Sequence, residues 1–131
     1  MKYSNINFNT KTILITGGAG FIGSNLAFYF QDNYPDATVV VLDLFRSDTK
    51  FSNGNLKSFG HYKNLLGFKG IVISGDINDN NLLNKIEDSY NFNYIFHEAA
   101  ISDTTVAEQD IMIKTNVNAY ENLLKIAIKH N

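Results

Sequence analysis

Ile13-Leu14-Ile15-Thr16-Gly17-Gly18-Ala19-Gly20-Phe21-Ile22-Gly23 is an apolar run, a glycine-rich turn and the opening of a second apolar run. Each of three glycines has a separate task if the turn holds a dinucleotide. Gly17 permits a tight turn off the strand, because positive φ costs glycine nothing sterically. Gly20 lets the backbone come close to a pyrophosphate, and Gly23 lets the new helix pack tightly on its strand. The helix that begins here points unpaired N–H groups and a partial positive charge at such an anion. Glycine spacing alone is weak evidence, but here it sits in the strand–turn–helix setting that the motif requires. A second half follows: Val39-Val40-Val41-Leu42 ends in Asp43, twenty residues after Gly23. An acid at that distance meets the hydroxyls of the adenosine ribose. The alternative is a glycine-rich turn in an α/β protein that binds no nucleotide.

Composition sets bounds around this reading. The 131 residues allow one compact domain, and 44% hydrophobic with 18% charged residues are values of a soluble globular chain. A net charge of −2 gives no electrostatic reason to expect nucleic acid or an anionic membrane as partner. Cysteine is absent, which excludes disulfides and thiolate metal sites. Met1 to Lys11 is polar, with no apolar run resembling a signal peptide. No segment approaches the length of a transmembrane helix, and a cytoplasmic location is the expectation.

Strands and helices alternate along the chain, which predicts a parallel sheet with helices on both faces. Strands are expected at Thr12–Thr16, Thr38–Leu42, Gly70–Ser74 and Asn93–His97. The first helix runs from Phe21 to about Asn33, with Phe21, Ile22, Leu26 and Phe30 on its apolar side. Pro35 closes it. Phe45 to Lys69 is long for a connection in such a fold, and loops of that size are often functional. Leu56–Leu66 within it is expected to be helical. Further helices are expected at Leu82–Tyr90 and from Val106 to His130, the last with Ile111, Val117, Leu124 and Ile128 buried. The four strands then take the spatial order 3-2-1-4, a Rossmann-type doubly wound sheet. A fourth strand left at the edge is an aggregation liability unless covered. Residues 1–131 are therefore expected to be the N-terminal part of a larger domain.

The strand ends supply the candidate site residues. Asp43 repels a phosphate on the adenosine ribose unless cations compensate, and Arg46 and Lys50 stand close enough in sequence to do so. Both are otherwise solvated loop cations, so NAD and NADP stay open. Asp76 can take the adenine amino group while Ile77 lies flat against the ring; alternatively Asp76 or Asn78 caps the next helix. In His97-Glu98-Ala99-Ala100 the small residues let the backbone approach the middle of the cofactor, and His97 is equally a satisfied core histidine. Ser102-Asp103-Thr104-Thr105 lies on the ligand side of an open α/β sheet, though Ser, Thr and Asp also cap helices. Asn116, a mediocre helix former, suggests a buried hydrogen-bonding role. Tyr120 and Lys125 do not make a tyrosine–lysine catalytic pair. Five residues apart, they point about 140° away from each other on a helix.

Thr16–Gly23, Asp43, Gly75-Asp76-Ile77, His97–Ala100 and Asn116-Val117 together resemble the extended short-chain dehydrogenase/reductase family. Within it, Phe45–Phe51 and Phe96–Thr105 resemble the branch of ADP-glyceromanno-heptose 6-epimerases. The resemblance implies a tightly held NADP or NAD that transiently oxidises the sugar at C6″ and returns the hydride to the other face. It places Phe21 and Ile22 beside the pyrophosphate, Asp43, Leu44 and Lys50 at the adenosine end, and Glu98 to Ser102 at the cofactor's centre. Leu44 departs from the asparagine often seen after the acid. The family's tyrosine base, its lysine and its sugar-binding portion fall beyond position 131, so the chain alone is expected to be inactive. In the complete enzyme the resemblance implies an ADP-sugar substrate and a homo-oligomer. Two other readings stand beside it: a 4-epimerase or 4,6-dehydratase of UDP- or dTDP-sugars, and a non-catalytic dinucleotide sensor.

Overall fold

The computed structural model describes residues 5–129. Strands β1 (Thr12–Thr16), β2 (Thr38–Asp43), β3 (Ile71–Ser74) and β4 (Tyr94–His97) form one sheet in the order β3-β2-β1-β4. All three pairings are parallel, with Ile13 opposite Val39 and Tyr94, and Val41 opposite Val72. The continuous aliphatic runs of β1 and β2 have the physical reason that holds for any parallel sheet covered on both faces. Ile13, Ile15, Val39 and Val41 face helix α1 (Phe21–Asn33), while Leu14, Val40 and Leu42 face α2 (Asn80–Tyr90) and α4 (Ala119–Lys129). Phe8, in the polar N-terminal segment, adds an anchor: its ring meets Phe30, Tyr34 and Tyr94 edge-on at 4.9 to 5.2 Å. Asp79 starts α2, accepting from the Leu82 N–H at 3.0 Å, so neither Asp76 nor Asn78 is the cap.

Several expectations need correction. Between Leu56 and Leu66 only a 3-10 turn forms, Tyr62–Leu65. The backbone there bonds elsewhere: the Gly60 carbonyl accepts from the Arg46 N–H, and the His61 N–H donates to the Ala19 carbonyl. Those groups are then not free to build a helix. Phe21 and Ile22 are 85% and 60% exposed and do not share the buried side of α1 with Phe30. They lie on the first turn, past the carboxyl end of β1.

The last helical stretch begins at Gln109, not Val106, as α3 (Gln109–Ile113), and passes through a π-helical turn at Lys114–Asn118 before α4. That turn adds a residue to the repeat and rotates the buried stripe. Ala119, Leu123 and Ile126 are buried, whereas Val117, Leu124 and Ile128 are exposed and Ile111 is half-buried. Leu123→Ala is accordingly expected to cost about 2–5 kcal/mol, and Leu124→Ala less than about 0.5 kcal/mol. Urea unfolding of the two variants decides between the stripes; a larger loss at Leu124 than at Leu123 would restore the unrotated one. His130 lies outside the described residues.

Candidate cofactor site

The glycine turn sits at the carboxyl end of the central strand. Gly17 has φ +67°, and a Cβ there would lie 2.7–2.8 Å from backbone atoms of Ala99 and Glu98. A Cβ on Gly23 would run into the Gly17 carbonyl oxygen. Gly20 differs: its φ of −77° and ψ of 179° suit any residue, and a Cβ would meet only Gly17 O, at 3.2 Å. The space beyond it is open. Gly20 is also the N-cap of α1, with no side chain to satisfy the first-turn N–H groups, and no acidic residue stands in that turn. An uncapped 13-residue helix behind an open glycine has the donors and the room that a pyrophosphate needs. The residues present thus fit a dinucleotide at this turn.

Asp43 is only 6% exposed and braces the turn directly. Its Oδ2 accepts from the Ala19 N–H at 2.9 Å, and its Oδ1 accepts from the Phe45 N–H at 2.9 Å. A carboxylate has further lone pairs for a ribose hydroxyl, so the expected contact shares Asp43 with a structural task. Phe45 takes φ +53°, an uncommon value for an aromatic residue, and stacks on Tyr62 at 3.8 Å and 7°. On the other side of the turn, the His61 N–H and Asn64 Nδ2 both donate to the Ala19 carbonyl, at 3.0 and 2.8 Å. The long connection is therefore a brace for the glycine turn. Leu44, Arg46 and Lys50 are exposed along it.

Around the third strand, Asp76 Oδ1 accepts from the Asn78 backbone N–H and side-chain amide at 2.8 and 2.9 Å, forming its own turn. Asp76 is exposed there. Ile77 corrects an expectation: it is buried in the core with Leu14, Leu42 and Leu83, so its side chain does not lie against a ring at the surface. Apolar burial outweighs an exposed ring contact for a residue that follows a short strand into a helix.

At the fourth strand, His97 Nδ1 lies 2.7 Å from Thr16 Oγ1, and the ring stacks on Tyr120 at 5.9 Å. Those contacts make His97 a satisfied, half-buried histidine. Burial holds its pKa below the ordinary 6.5, against an opposing pull from Glu98. The unfolded chain then binds a proton more readily than the folded one. Stability is expected to be at its plateau above pH 6.5 and to fall as pH drops from there through the folded-state value. His97→Gln should flatten that limb of a urea-midpoint profile; an unchanged slope would assign it to other groups.

Glu98, Ala100 and Ser102 are exposed beyond the strand and Ala99 is half-buried. Asn116, in the π turn, does not reach outward: its Oδ1 accepts from the Ile101 N–H at 2.8 Å and its Nδ2 donates to the Ile101 carbonyl at 2.9 Å. It holds the segment that Glu98 and Ser102 flank. Lys125 pairs with Glu121 at 2.7 Å on the surface of α4, apart from Tyr120's stack on His97. Sequence reading missed Thr16, His61 and Asn64 as site supports. A hydroxyl inside an aliphatic strand is a signal, since a buried polar atom needs a partner; His61 and Asn64 carried none. Among the described residues, no group of His, Asp or Glu is placed to hold a metal ion, and no helix is long and apolar enough to cross a membrane.

A parallel sheet of order 3-2-1-4 with a braced glycine turn at its switch point defines a Rossmann-type dinucleotide fold. The chain belongs to the NAD dependent epimerase/dehydratase family, whose model matches residues 13–131. It is 52% identical to the ADP-L-glycero-D-manno-heptose-6-epimerase of Helicobacter pylori. That crystal structure superimposes with a TM-score of 0.86 over 99% of this chain and 39% of the other. It is 32% identical to the enzyme of the same name from Brachyspira hyodysenteriae, over 88% of this chain and 33% of that protein. The Bordetella bronchiseptica enzyme WbmG, solved with NAD and UDP, is 30% identical with a TM-score of 0.73, over 90% of this chain and 34% of the other. The chain thus spans between a third and two-fifths of these relatives.

Proposed function

We propose that this chain is the cofactor-binding portion, within residues 1–131, of an epimerase that inverts C6″ of an ADP-heptose using NADP or NAD. The observation that carries the reading is its 52% identity to the Helicobacter pylori heptose epimerase along almost its whole length. The bound nicotinamide supplies hydride acceptance and return. The chain's own residues bind and orient it. Gly17, Gly20 and Gly23 shape the pyrophosphate turn, and Phe21 and Ile22 shield it from water. Asp43, Leu44, Arg46 and Lys50 meet the adenosine end, with Asp76 and the backbone at Ile77 on the adenine side. Glu98, Ala99, Ala100 and Ser102 line the centre, and Asn116 keeps that segment in place through Ile101.

Among the described residues this reading assigns none to the alcohol proton: Tyr120 and Lys125 are engaged apart, and hydride removal needs a base within reach. The isolated chain should therefore bind nucleotide yet turn over no ADP-heptose. Substrate and oligomeric state belong to the whole enzyme, a homo-oligomer in this proposal, made in the cytoplasm for lipopolysaccharide-core heptose.

Calorimetric titration with NAD and NADP tests the binding half, and the tighter nucleotide reports whether Arg46 and Lys50 outweigh Asp43. Grafting residues 1–131 in place of the matching portion of the Helicobacter pylori enzyme tests whether they can serve a heptose epimerase as its cofactor-binding portion. Retained ADP-heptose epimerisation is expected; a folded, nucleotide-loaded chimera inactive on ADP-heptose would sink the heptose reading.

A further inference from the structure

The loops that leave β2 and β4 are joined across the end of β1. Asn53 Nδ2 donates to Thr105 Oγ1 at 2.8 Å and to Asp103 Oδ2 at 3.2 Å, and Asn55 Nδ2 donates to Asp103 Oδ2 at 2.7 Å. The Ser52 N–H donates to Glu108 Oε1 at 2.6 Å. These four bonds tie segments about fifty residues apart in sequence. The 52–55 tip is itself a closed turn: the Phe51 N–H bonds the Asn55 carbonyl, the Gly54 N–H bonds the Phe51 carbonyl, and Lys50 bridges Leu56 antiparallel. Phe51 is 5% exposed although Lys50 and Ser52 on either side are exposed, so an apolar plug seats the tip as well. Hydrogen bonds from the Thr105 hydroxyl, then from Asn55, hold the Asp103 carboxyl well below the usual carboxylate range.

In a sheet of order β3-β2-β1-β4, the crevice over the glycine turn is flanked by the exits of β2 and β4. A tie between those two exits spans its mouth. We propose that the Ser52–Asn55 tip, latched on Asp103, Thr105 and Glu108, is a clasp that gates entry and exit of the dinucleotide. The inference rests on the dinucleotide reading of the crevice. Such a clasp suits a reaction that returns its hydride within one turnover, since the nucleotide has no need to exchange between cycles.

A gate lies between crevice and solvent, so loosening it speeds passage both ways. Loss of a bond to a charged acceptor is worth about tenfold. Asp103→Ala and, separately, Asn53→Ala with Asn55→Ala are therefore expected to raise kon and koff of NADPH or NADH together, each by about tenfold. Kd should move less than either rate. The measurement is stopped-flow association and displacement on the full chain, followed by nicotinamide fluorescence, with folding checked by circular dichroism. A rise in koff alone would mean that the loops merely position Lys50 or its neighbours, and would overturn the gate. Unchanged rates in both folded variants would overturn it too. Absence of binding by the unmutated chain would overturn the dinucleotide reading and the clasp with it.

Discussion

Gly20→Val is expected to leave the chain folded while weakening NAD and NADP binding by about a hundredfold or more, roughly 3 kcal/mol. Two observations separate the effects. The Gly20 backbone, with φ −77° and ψ 179°, is extended and open to any residue, and an added Cβ meets only the Gly17 carbonyl oxygen, at 3.2 Å. Valine is a poorer N-cap than glycine, which costs α1 on the order of 1 kcal/mol, a loss a folded domain can absorb. Binding suffers differently. The valine methyl groups project into the space in front of the uncapped α1 N-terminus, where a pyrophosphate must come within hydrogen-bond distance of backbone N–H groups. Calorimetry of the variant, beside a thermal melt, is the check. Undiminished binding by a folded valine variant would mean that no phosphate approaches this turn.

Gly17→Ala is expected to do the reverse, removing about 2–4 kcal/mol of stability before any ligand is considered. A left-handed backbone, here φ +67°, costs an L residue about 1–2 kcal/mol. The methyl group would also sit 2.7 Å from Ala99 N and 2.8 Å from Ala99 Cα. Those are backbone atoms of the segment leaving β4, which is held by the Glu98 N–H bond to the Thr16 carbonyl and by Asn116 on Ile101. They cannot rotate aside as a side chain can. Against a total of about 5–15 kcal/mol for a domain of ordinary stability, that loss is large. Urea unfolding measures it, and a variant with an unchanged midpoint would show that the turn relaxes freely. Together the two glycines divide the motif into a ligand-facing position and a fold-facing one.

What the sequence determined by itself was whatever depends on neighbours in the chain. Aliphatic runs at Ile13–Ile15 and Val39–Leu42 can only be strands buried on both faces, and with α1 between them they impose a parallel pair. The strand order follows from the Rossmann-type pattern that the glycine turn announces, in which the fourth strand crosses over to pair with the first. The glycine turn was legible because steric freedom is a property of single residues. Tertiary structure alone decided which polar groups support the site. The ties of Ala19 to Asp43, His61 and Asn64 and of Asp103 to Asn53 and Asn55 join segments 24 to 50 residues apart. No local pattern encodes such pairings. The buried stripe of the last helix departs from the periodicity of its sequence for a related reason. Both Leu123 and Leu124 are apolar, and only the π turn that seats Asn116 on Ile101 rotates one of them inward. Local chemistry sets which elements form; the distant hydrogen bonds made when they meet set where each side chain ends up.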